Sequence, residues 1–84
     1  MAEIVPVQCF LARTVLGWSG RKLANVAGVS PHTVANFERG HALKTSTVEV
    51  IQRTLEKAGI IFIDANDGGP GAKLRSRVSS ARPV

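Results

Sequence analysis

The chain is predicted to be mainly α-helical, with four helices and a short C-terminal β extension, on three observations. Apolar residues recur at helical spacing through the first 59 positions. Serines and glycines stand where those helices would begin and end. After Gly59 the pattern changes to the consecutive apolar run Ile60–Ile63, a strand signal followed by turn-forming residues.

Helix 1 is predicted from Pro6, a residue tolerated in a first turn, to Gly17, with Cys9, Ala12, Val15 and Leu16 as one apolar stripe. Ser19 caps a short helix 2 that Gly28 ends, and Trp18 covers the core beneath it. Ser30 followed by Pro31 is an N-cap with proline at the first helical position, opening a helix 3 that runs to about Glu38 and stops at Gly40. Helix 4 opens at Ser46, with Glu49 completing a capping box, buries Val48, Ile51, Leu55 and Ala58, and takes Gly59 as its C-cap. A second short strand is expected from Ala72 to Arg75. The Ser, Arg and Pro content from Ser76 onward predicts a mobile tail. The organisation is thus residues 1–59 as a helical domain, 60–75 as a β extension and 76–84 as the tail.

Eighty-four residues, 44% of them hydrophobic, suffice for one compact domain with a small core. The net charge of +5 is spread over the chain, +3 in residues 1–59 and +2 in 60–84, and favours a polyanionic partner. Cys9 is the only cysteine, which excludes an intrachain disulfide and a cysteine zinc cluster and fits a reducing compartment. No Lys or Arg precedes Arg13, and the longest strongly apolar run without interruption is Ile60–Ile63, so neither a secretory leader nor a membrane span is expected and the location is read as cytoplasmic.

Enzymatic patterns are missing. His32 and His41 have no carboxylate or thiol neighbours at ligand spacing, so no metal is implied. The Gly68-Gly69-Pro70-Gly71 run has no Lys-Ser/Thr pair behind it and is read as a turn rather than a phosphate loop. No Ser/His/Asp arrangement with a supporting pocket is visible, so no catalytic residue and no cofactor is assigned.

Residues 20–39 carry the most specific pattern. Ala24 is small where two helices must approach, Gly28 stands at the turn, and Leu23, Val29, Val34 and Phe37 supply the contacts that fix a crossing angle. Together with Leu16-Gly17-Trp18-Ser19, Ala27-Gly28-Val29-Ser30 and Glu38-Arg39-Gly40, this stretch resembles the Cro/repressor-type (Xre-like, lambda-repressor-like) helix-turn-helix family over residues 7–59. Phe62-Ile63-Asp64, Gly68-Gly69-Pro70-Gly71 and Leu74-Arg75 also resemble the ends of short bacterial regulators of this type.

The resemblance implies a lambda-repressor-like four-helix fold and a bacterial transcription regulator, commonly a repressor. Helix 3 would enter the major groove with Pro31, His32, Thr33 and Asn36 against base edges. Asn36 suits adenine N6 and N7, His32 a guanine acceptor, and Thr33 a thymine methyl or a phosphate. Phosphates would be met by Gly20, through its backbone N–H where the family usually has glutamine, and by Arg21, Lys22, Arg39, His41 and Lys44. Arg13 and Glu38 stand where the family commonly has a structural ion pair.

A homodimer is expected from Ile60, Ile61, Phe62, Ile63 and Leu74. A strand shows alternate side chains to opposite faces, so either Ile61 and Ile63 or Ile60 and Phe62 would need cover from a second copy. The alternative is a strand folded back on its own domain, with dimerisation through helix 1 and Phe10. Partners are therefore double-stranded DNA on an inverted repeat and a second protomer. The other reading is a protein-interaction module, such as an antitoxin or antiactivator that also binds DNA and engages a second regulatory protein. Phe10, the Ile60–Ile63 strand and the basic tail speak for it.

Overall fold

The computed structural model describes residues 3–64 and 69–74. Helices α1 (Pro6–Leu16), α2 (Gly20–Ala27), α3 (Pro31–Glu38) and α4 (Thr45–Lys57) are followed by strands β1 (Ile60–Ile63) and β2 (Gly71–Leu74). The strands pair antiparallel, with Ile60 opposite Leu74 and Ile63 opposite Gly71. The architecture is mainly helical with one two-stranded sheet. The anticipated tail, residues 76–84, and most of the turn between the strands lie outside the described residues.

One hydrophobic core draws on every helix and on β1. Cys9 and Ala12 come from α1, Leu23 and Ala24 from α2, Val34 and Phe37 from α3, Val48, Ile51 and Leu55 from α4, and Ile60 and Phe62 from β1. Burying a side chain as large as these contributes about 1.5–3 kcal/mol, so β1 is part of what holds the helices together.

Several sequence expectations are corrected. Val15 is exposed, because Cys9, Ala12 and Leu16 already fill the inward arc of α1 and position 15 falls beside it. Helix α4 opens at Thr45 with Lys44 as N-cap and no side-chain cap, so Ser46 and Glu49 form no capping box. The Lys44 carbonyl instead accepts from the Thr47 and Val48 N–H groups at 2.9 and 3.1 Å. The C-cap of α4 is Ala58, and Gly59 follows it at φ +109°. Ala58 itself is half-buried. Strand β2 runs one residue earlier than expected, and Arg75 lies outside the described residues.

The open question of which face of β1 turns inward is answered by burial. Ile60 and Phe62 are 2% and 8% exposed in the protomer core, whereas Ile61 is 38% exposed and Leu74 42%. Ile60 and Phe62 are therefore unavailable to a second copy, and only Ile61, Ile63 and Leu74 of the anticipated dimer residues reach the surface to any extent.

The hairpin is fastened to α1 by Gln8, a buried polar side chain that the sequence reading passed over. Its amide nitrogen donates to the Ile63 carbonyl at 2.9 Å and the Gly71 carbonyl at 3.2 Å, one on each strand. Its amide oxygen accepts from the Val5 N–H at 2.9 Å, satisfying an orphan donor at the start of α1.

Candidate nucleic-acid interface

Helices α2 and α3 are joined by a turn of three residues whose geometry follows from its sequence. Gly28 adopts φ +79°, which is cheap only without a Cβ, and its N–H donates to the Ala24 carbonyl at 2.9 Å. Ser30 is extended, and its hydroxyl accepts from the Thr33 N–H at 3.1 Å, while Pro31, the first residue of α3, has no N–H to satisfy. Ser19 does the same for α2 by accepting from the Lys22 N–H at 3.0 Å. Ala24, Leu23 and Val34 are buried where the two helices meet, which fixes how α3 is presented.

The outer side of this pair is polar and basic. Pro31 and His32 are exposed, and Thr33 and Asn36 are half-buried. Arg21, Lys22, Arg39, His41 and Lys44 are exposed, and Gly20 is half-buried at the start of α2. Arg21 and Pro31 both line two neighbouring open hollows of about 530 and 410 Å³. Gly20 and Arg39 reach the second of these, and Asn25, which the sequence reading did not single out, lines the first. Asn25 was findable: it is polar and one turn after Arg21 on α2.

These side chains are less independent than their spacing implies. An Arg39 guanidinium N–H donates to Asn36 Oδ1 at 2.7 Å. The Thr33 and Ser30 hydroxyls share a hydrogen bond of 2.9 Å. The ammonium of Lys22 lies 5.7 Å from the centre of the Trp18 ring, a cation–π approach. The His41 N–H donates to the Asn36 carbonyl at 3.0 Å, tying the loop after α3 back to that helix, while Lys44 stands further along at the start of α4.

Behind this face, Arg13 of α1 and Glu38 of α3 meet in a two-point contact, Nε to Oε2 at 2.7 Å and Nη2 to Oε1 at 2.8 Å. The Cys9 thiol donates to the same Oε2 at 3.2 Å. Burial pushes the Glu38 carboxyl up, but hydrogen bonds from Arg13 and Cys9 and the Arg13 charge outweigh it and hold it below its ordinary value. The hydrogen bond to Glu38 holds Arg13 above its ordinary value against the cost of desolvation. Burial, then the hydrogen bond to Glu38, pushes the Cys9 thiol far up, which keeps it protonated.

Among the described residues no helix is long and apolar enough to cross a membrane. No protein-family model matches the chain, and no curated protein matches it.

Proposed function

We propose that the chain is a sequence-specific DNA-binding transcription regulator, a repressor acting as a homodimer on an inverted repeat in a bacterial cytosol. Helices α2 and α3 act as a helix-turn-helix of the lambda-repressor kind, with α3 in the major groove. The observation that carries this reading is the rigidly capped α3. Its N-terminal half carries the exposed Pro31 and His32, and Arg21, Lys22 and Arg39 share with Pro31 the open hollows beside it. His32, Thr33 and Asn36 face base edges, with Pro31 at the helix start. Gly20, Arg21, Lys22, His41 and Lys44 hold phosphates and supply the salt-dependent part of the affinity. The protein binds without catalysing a reaction and needs no cofactor.

The dimer forms through the outer face of the hairpin, which carries Ile61 and the half-buried Ile63, and it sets two α3 helices about 34–36 Å apart. The exposed Leu74 lies on the opposite face, across from Ile60. Selection of bound sequences from a random duplex pool tests the reading. Enrichment of an inverted repeat with half-sites about one helical turn apart is the expected result. Failure to enrich any sequence overturns it.

A second reading, a protein-interaction module, has one observation in its favour. Val7 and Phe10 lie one turn apart on α1 and are 46% and 48% exposed. A stoichiometric protein partner that binds wild type but not Phe10→Ser, joined to failure on duplex DNA, would replace the first reading with this one.

A further inference from the structure

We infer that Asn36 and Arg39 read DNA as one unit that prefers guanine, so that Arg39 determines specificity instead of merely gripping a phosphate. The inference rests on the DNA-binding reading above and deepens it. An asparagine acting alone offers one acceptor and a pair of donors, which matches the N6 amino group and N7 of adenine. Here the acceptor is engaged: Asn36 Oδ1 takes a charge-assisted hydrogen bond of 2.7 Å from Arg39. What the pair still offers a ligand is mostly donors, the Asn36 amide N–H groups and the remaining guanidinium N–H groups. The one lone pair left on Oδ1 sits beside a full positive charge that disfavours an approaching amino group.

The major-groove edges of the bases differ in how they answer such a surface. Guanine presents two acceptors, N7 and O6, whereas adenine presents N7 beside an amino donor. A guanidinium fixed at Oδ1 attracts O6 and opposes the adenine amino group. The neighbouring Ser30 and Thr33 hydroxyls are hydrogen-bonded to each other, so one of their two O–H donors is already used within the protein. Arg39 is itself exposed at the C-cap of α3, one turn from Asn36 and hydrogen-bonded to it.

The test compares affinities for the selected duplex and its single-base-pair variants at low ionic strength, using wild type, Asn36→Ala, Arg39→Ala and Arg39→Lys. Circular dichroism establishes that each variant is folded. At the base pair whose discrimination Asn36→Ala removes, wild type should prefer guanine over adenine by roughly tenfold or more. Arg39→Ala should release Oδ1 and move the preference to adenine. Arg39→Lys, which keeps the charge without the planar fork, should bind random DNA as well as wild type yet lose the guanine preference. Wild-type preference for adenine at that position overturns the inference. So does an Arg39→Ala variant that loses affinity equally for all four base pairs with a salt slope shallower by about one, because that is a phosphate contact. Both of these results leave DNA binding intact. A wild-type protein with no sequence preference overturns the DNA-binding reading itself, and this inference with it.

Discussion

Glu38 of α3 accepts two hydrogen bonds from Arg13 of α1 and a third from the Cys9 thiol one turn before Arg13. The Arg13 and Glu38 side chains are only 20% and 14% exposed, so water can replace little of what either would lose without the other. The cluster locks α1 against the end of α3 and thereby fixes the helix that presents Asn36.

Removing one member of this pair should cost about 1–3 kcal/mol, and a double-mutant cycle of Arg13→Ala and Glu38→Ala should show coupling of roughly 1–2 kcal/mol. Coupling of zero would mean the two charges are independently solvated. The pH dependence has a definite sign. Glu38 has a lowered value in the folded state, so its contribution is complete above its ordinary value of 4.5 and drains away as pH falls through the folded one. Thermal melts of wild type should lose stability below about pH 4.5 more steeply than those of Glu38→Gln. Parallel acid limbs would contradict the pairing.

Cys9 should be inert in the native protein. Its side chain is fully buried, and burial favours the thiol over the thiolate. Alkylation by a soluble maleimide should proceed only as fast as the protein opens, and should become immediate in denaturant. Rapid stoichiometric labelling of the folded protein would contradict this burial.

Gln8→Ala should destabilise the protein by about 2–3 kcal/mol, because three backbone groups on three elements lose one partner together. For a domain of this size that corresponds to roughly 4–8 °C in Tm per kcal/mol. Hydrogen exchange should rise first in β1 and β2. A Tm within a degree or two of wild type would show that the hairpin holds without it.

How much of this was legible in the sequence depends on how local each interaction is. Ser19, Gly28 and the Ser30-Pro31 pair announce their caps because donor and acceptor lie within four residues. Lys44 gives no such sign, since α4 begins on backbone hydrogen bonds alone and the serine a residue inside it looks like a better cap. Gln8 was invisible for a different reason. Its partners are main-chain carbonyls 55 and 63 residues away, and no periodicity links a side chain to a backbone atom that distant. The position of Arg39 beside Asn36 follows from helical spacing, but that its guanidinium occupies the amide oxygen required coordinates. Alternation alone could not choose between the two faces of β1; that choice came from which pair the helices bury.

His32→Ala and Lys44→Ala separate base reading from phosphate contact. The first should weaken binding to the selected duplex by roughly 1–3 kcal/mol and leave random DNA nearly unaffected. The second should weaken both and reduce the salt slope by about one. Equal losses on specific and random DNA for His32→Ala would remove it from the base-reading set.

The central claim is sequence-specific DNA binding by the face built on α3, and equilibrium titration at physiological salt against a selected duplex and a scrambled one tests it most directly. The expected affinity ratio is about a thousandfold or more, nearly abolished when His32 and Asn36 are both replaced by alanine. Equal affinity for the two duplexes, or a ratio that survives the double substitution, would contradict it.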